Sequence, residues 1–203
     1  MEAILDAAIR IFDREGSDAV TTSRIAEVAG VSVGTLYQYF ANRDAILDAL
    51  QGREFDRAAA MMQRVLGSTA QTSPSLTPAE FERDVARRVI EGLLELYRAA
   101  PELHRVLAVE GLRVTPTERV EAFDLRIVGV IREFLTRLGP RVRRHDLDAA
   151  AFVVYQSVRA TMLAWMLERP RGLDDRAVVE ELTDLILRYL VSDATGAALT
   201  SGT

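Results

Sequence analysis

Thr21–Phe40 reads TTSRIAEVAGVSVGTLYQYF, and two short helical patterns fit inside it. Ile25, Ala26 and Ala29 recur at helical spacing, Gly30-Val31-Ser32 interrupts, and Leu36 and Phe40 resume the pattern. Thr21 and Ser32 each stand where a helix N-cap is wanted. Val20 with Ile25, and Val31 with Leu36, are placed as hydrophobic staples across those caps. Gly30 supplies the stop between them. Helices this short are marginal alone, so two of them around a tight turn need a reason. A helix-turn-helix supplies one: its first helix braces against a DNA backbone while its second enters the major groove. The second helix here leaves Val33, Gly34, Thr35, Tyr37, Gln38 and Tyr39 outside. A plain surface helix would carry Glu, Lys or Arg there. Hydroxyls and an amide instead suit phosphates and base edges. Gln38 can pair bidentately with adenine, Val33 can meet a thymine methyl, and Gly34 admits a close backbone approach.

Working outward, the rest of the chain also reads as helix. Ile4, Ala8, Ile11 and Phe12 stripe a first helix over about Glu2–Glu15, with Gly16 at its end. Asn42 caps a helix reaching about Leu66. Gly67–Leu76, rich in Ser, Thr and Gln, is the best loop candidate. Thr77-Pro78-Ala79-Glu80 is a capping box with Pro at the first helical position, and its helix reaches about Ala100. A short helix follows Pro101 to about Leu112, and another spans Thr117–Leu138 before Gly139-Pro140. Asp146 caps a helix to Glu168, and Asp174 caps the last, to about Val191. The fold class is therefore all-α, with about nine helices. The domains expected are 1–47 for DNA binding, 48–192 for ligand binding and dimerisation, and a disordered tail at 193–203.

The stretch TTSRIAEVAGVSVGTLYQYFANRDAIL, Thr21–Leu47, resembles the DNA-binding domain of the TetR family of bacterial transcriptional regulators, and the preceding AILDAAIRIFDREG resembles its first helix. The resemblance implies that Thr22 and Ser23 touch phosphate or a base edge. It implies that Val33, Gly34, Thr35 and Gln38 face bases, and that Tyr37, Tyr39 and Arg43 hold phosphates. The family's usual lysine after the tyrosines is replaced by Arg43, which keeps the charge. The family's usual basic arm, which contributes minor-groove contacts, is not seen ahead of Met1-Glu2.

Composition narrows the function. The 203 residues carry a net charge of −5, with 25 basic residues, all arginine. Residues 1–50 hold four arginines (Arg10, Arg14, Arg24, Arg43) against eight carboxylates, a net of −4, so DNA contact has to come from a local surface rather than a global field. Cysteine is absent, which excludes disulfides and thiolate sites. The longest apolar run, Ala149–Val158, is broken by Gln156 and Ser157, so no membrane span and a cytoplasmic location are expected. His145-Asp146-x-Asp148 is the compact His/carboxylate cluster, but Asp146 is needed as a cap. With no phosphate loop, metal-ligand spacing or nucleophile motif, no enzyme, cofactor or metal is expected.

A switch also needs a second site. On the helix Asp146–Glu168, Val153, Ser157, Ala160 and Ala164 form a stripe of small residues suited to close helix packing. Tyr155, Arg159, Met162 and Met166 lie opposite. An arginine among apolar residues needs a partner, either a ligand or an internal carboxylate such as Glu110 or Glu95. Tyr97, His104, Glu110, Phe123, Tyr155, Arg159 and Met162 are the effector-pocket candidates, with Trp165 beside them. The wide apolar face of the last helix, with Leu182, Ile186 and Tyr189, is expected to join the small stripe in a homodimer interface. The partners expected are a double-stranded DNA operator, a small-molecule effector and a second copy of the chain. The alternative is a helical protein-interaction adaptor with no DNA affinity at any salt.

Overall fold

The first turn of the chain is already helical in the computed structural model, which describes residues 1–67 and 76–191. The helices are α1 (Glu2–Glu15), α2 (Thr22–Ala29), α3 (Val33–Tyr39), α4 (Arg43–Gly67), α5 (Pro78–Ala99), α6 (Pro101–Val106), α7 (Leu112–Val114), α8 (Thr117–Leu138), α9 (Leu147–Glu168) and α10 (Asp175–Leu190). A π-helical turn, Leu107–Gly111, joins α6 to α7. Counting that run as one, the described residues make nine helices and no strand. Most of the expected loop at Gly67–Leu76, and the expected tail, lie outside the described residues.

Each predicted cap makes its hydrogen bond. Thr21 Oγ1 accepts from the Arg24 amide at 3.2 Å, Ser32 Oγ from Thr35 at 2.9 Å and Asn42 Oδ1 from Ala45 at 2.9 Å. Asp146 and Asp174 do the same for α9 and α10, at 2.9 and 2.8 Å. The box at Thr77 is reciprocal: the Glu80 carboxylate accepts from the Thr77 amide at 2.8 Å, and Thr77 Oγ1 accepts from the Glu80 amide at 3.3 Å. Hydrogen bonds from Thr77 hold the Glu80 carboxyl below its ordinary pKa. Such bonds satisfy amides that an open helix end leaves without partners.

The chain divides into two compact units. The first combines Met1–Ala60 with Leu93–Asp124 and the second Met61–Gly92 with the chain from Leu125 onward. In the first, α1 buries Ile4, Leu5, Ile11 and Phe12 against Ile25, Leu36 and Leu50, and Leu103 and Leu107 complete the same core. The helix-turn-helix is thus packed on residues from the α6 segment as well as on α1. Position 47, the expected domain end, lies inside the unbroken α4.

In the second unit, α9 buries Val154, Tyr155, Val158, Met162, Trp165 and Met166, and α10 buries Val178, Leu182, Ile186 and Leu190. Arg141 pairs with the buried Glu82, and Arg137 donates to the Leu66 carbonyl at the end of α4, 2.7 Å away. The expectation that no stretch reaches membrane-span length is corrected: among the described residues, α9 is long and apolar enough by length and composition. The polar Gln156, Ser157 and Arg159 fall inside it, and its inner side packs in the unit's own core.

Candidate nucleic-acid interface

α3 is held from beneath and left open above. Leu36 is fully buried, and Ile25, Ala26 and Phe40 surround it in the core. Gly30 closes the turn in the left-handed region, at φ 68°, where a side chain would be strained. A Cβ there would meet nothing, so backbone conformation alone is the constraint. The Val31 amide reaches back to the Ala26 carbonyl at 3.0 Å, completing the helix end. On the outer side Tyr37 is 51% and Tyr39 56% exposed, with Ser23, Val33, Gly34 and Gln38 also exposed and Thr22 and Thr35 half-buried. The Thr22 and Tyr37 hydroxyls lie 3.2 Å apart, tying the start of α2 to the outer face of α3. The structure therefore gathers the expected α2 and α3 residues onto one connected polar surface.

The cations beside that surface are engaged. Arg24 reaches Glu15 and Glu27, each at 2.8 Å. Its hydrogen bonds to Glu15 and then to Glu27 raise its pKa further, and the bonds it donates hold the Glu15 carboxyl below the ordinary carboxylate value. Arg43, which the resemblance assigns to phosphate, donates from Nη1 to Glu110 Oε2 at 2.7 Å and from Nη2 to Oε1 at 3.5 Å. Glu110, weighed as a partner for Arg159, is thus the partner of Arg43. Glu110 sits in the π turn, 67 residues from Arg43, and no local pattern in the sequence signals the pair. Two further pairs follow along α4: Arg113 to Asp44 at 3.2 Å and Arg119 to Asp48 at 2.7 Å.

Three effector candidates come together in the first unit around Glu54 and Phe55 of α4. His104 Nδ1 donates to the Ala100 carbonyl at 2.9 Å, which leaves Nε2 facing Glu54 Oε2 at 3.3 Å. Arg57 donates to the same carboxylate at 3.0 Å. Burial pushes the Glu54 carboxyl up, but the His104 hydrogen bond and the charges of His104 and Arg57 outweigh it and leave the pKa lowered. Tyr97 meets His104 edge-on at 5.0 Å, and Phe123 stacks on Phe55 at 4.1 Å.

The remaining candidates belong to the second unit. Tyr155 and Met162 are buried in its core, and the Arg159 guanidinium lies 6.0 Å over the Tyr155 ring. The small stripe faces outward: Val153 is 41% exposed, Ala160 and Ala164 are exposed, and Ser157 is half-buried. Phe152, which sequence reasoning passed over, is 54% exposed beside it. Leu182 and Ile186 are a correction. Both are buried within this chain, so the outward apolar residue of α10 is Leu185. Tyr189 is half-buried under the Arg144 guanidinium, 4.1 Å from its ring.

Comparison with known proteins places this arrangement. A family model described as bacterial regulatory proteins, tetR family, matches residues 4–50, and one described as tetracyclin repressor-like, C-terminal domain, matches residues 83–190. The chain belongs to the TetR family. TetR-family proteins are transcriptional regulators rather than enzymes, in keeping with a helix-turn-helix and no catalytic constellation in the sequence. The HTH-type transcriptional repressor KstR of Rhodococcus jostii strain RHA1 is 35% identical over 186 residues, covering 91% of this chain and 81% of that protein. KstR of Mycobacterium tuberculosis is 26% identical over 96% of this chain and 81% of its own length. Among solved structures, SmeT, the repressor of a Stenotrophomonas maltophilia multidrug efflux pump, matches with a TM-score of 0.68. It is 23% identical, with 95% of this chain and 91% of that one covered. That likeness shows a shared fold.

Proposed function

We propose that the chain is a homodimeric, cytoplasmic repressor that binds an inverted-repeat operator through α3 and is released by a small-molecule effector. The observation that carries the reading is the outer face of α3. Its hydroxyls, amide and bare Gly34 backbone stand exposed over the buried Leu36, in the family's DNA-binding domain. Residues 1–47 form the DNA-binding part on this reading, and 48–192 the ligand and dimer part. The exposed apolar residues of α9 and α10 support a two-fold dimer, and protein symmetry is mirrored in the spacing of DNA half-sites. The similarity to KstR, named a repressor, supports repression, and a solved complex of the similar SmeT with triclosan supports a small-molecule effector. The half-buried aromatic group of Tyr97, His104, Phe55 and Phe123 is the effector wall we favour. A small-molecule site is mostly apolar with a few convergent polar groups, and Glu54 and His104 are of that kind.

Selection of duplexes from a random library by the purified chain tests this. An inverted repeat with two equal half-sites is the expected product. A library that shows no enrichment leaves the protein-interaction alternative standing instead.

A further inference from the structure

Arg43 has two claimants. On the DNA-binding reading above, on which this inference rests, it adjoins the outer face of α3 and meets the duplex backbone. In the structure its guanidinium fork is already engaged by Glu110 through both terminal nitrogens. Arginine keeps its charge at any working pH, so pairing is the way to withdraw it from DNA. A carboxylate and a phosphate present the same bidentate face to a guanidinium, and one fork cannot serve both in that geometry.

The position of Glu110 is set by the chain around it. It lies in the π turn Leu107–Gly111, a helical irregularity found often at functional sites. That turn is seated tightly on α4. A Cβ added at Gly111 would meet the Gln51 side-chain amide, which places the turn directly against that α4 side chain. Arg113–Asp44 and Arg119–Asp48 fix the flanking segment to the same helix. Arg24 offers the contrast. Its partners Glu15 and Glu27 belong to the helix-turn-helix domain itself, whereas the partner of Arg43 comes from a distant segment of the chain.

We propose that Glu110 is an internal competitor for the DNA backbone, so that the seating of the π turn on α4 sets how much of Arg43 is available to phosphate. Both side chains are about a third exposed, 30% for Arg43 and 32% for Glu110, so phosphate can displace the carboxylate. Such a pair is weak, and its removal strengthens DNA binding roughly 1.5- to 5-fold. A pre-paired arginine also brings little counterion release. Freeing it steepens the dependence of log affinity on log salt by about one.

The test is Glu110→Gln, which keeps shape and removes charge. Binding is measured by fluorescence anisotropy across a salt series, on a duplex selected by the wild-type chain and on a scrambled duplex. The expected result is tighter binding to both, with the steeper slope, and loss of the gain in Arg43→Ala/Glu110→Gln. Glu110→Asp, whose shorter arm holds Arg43 less well, moves binding in the same direction by less and serves if the glutamine variant does not fold. Unchanged affinity and slope in a variant that melts normally, or weaker binding to both duplexes, overturns the proposal while the DNA-binding reading stands. A wild-type chain that enriches no duplex in the selection overturns both.

Discussion

α3 and α9 each bury one side and expose the other, and what they expose differs in kind. α3 is seven residues long and shows tyrosine hydroxyls, an amide and a glycine backbone. α9 is 22 residues long and shows Phe152, Val153, Ala160 and Ala164. A surface of hydrogen-bonding groups without fixed charge suits a partner read by edges and grooves. A surface of apolar and small side chains suits another helix brought close, and is costly to leave in water. The sort of side chain left unburied distinguishes the two faces more sharply than helix length or position.

The comparison can be broken most forcefully on α9. Val153→Glu places a charge in the proposed interface, where burying it without a partner is prohibitive. We expect monomers by sedimentation velocity and operator binding roughly 10²- to 10⁴-fold weaker, since a second half-site contributes through effective concentration. A Val153→Glu chain that stays dimeric would remove α9 from the interface. On α3, Gln38→Ala is expected to cost about 1–3 kcal/mol on the selected duplex and little on a scrambled one. Equal losses on both, measured by competition titration, would make Gln38 a backbone contact. The smallest effect is at the caps. Ser32→Ala is expected to cost about 0.5–2 kcal/mol of stability, read by thermal melting. Because α3 is so short, the same change should also weaken DNA binding. Asp146→Ala at the start of α9 should shift melting alone.

Local features were legible because their physics is local. A cap reaches three residues, a periodic stripe repeats every turn, and a turn glycine announces itself. Thr21, Ser32, Asn42, Asp146 and Asp174 all cap as their spacing predicts. The exposure of Tyr37, Gln38 and Tyr39 followed from the burial of Leu36 and Phe40 on the opposite side. Distant pairings were not legible. Nothing near Arg43 names Glu110, and nothing near His104 names Glu54. The small stripe of α9 lies on one outward side, as its spacing predicts, whereas the apolar residues of α10 divide between inside and outside. A core and an interface both call for apolar residues, so Leu182, Ile186 and Leu185 look alike until packing separates them. The π turn was also invisible, since it inserts itself into an otherwise continuous helical pattern.

Trp165 gives the molecule its own optical reporter. It is the single tryptophan of the chain and is buried near the end of α9. Its indole N–H donates to the Leu173 carbonyl at 3.1 Å, and the Arg169 guanidinium stacks 4.2 Å from its ring. Arg169 ends the helix in the left-handed region at φ 46°, just before Pro170. Emission from this indole therefore originates at the corner between α9 and α10, with no second indole to dilute it. Its wavelength and quenching follow the polarity and the cation at that corner. An effector titration that alters the spectrum would locate a rearrangement beside the exposed apolar helix face without any label being attached.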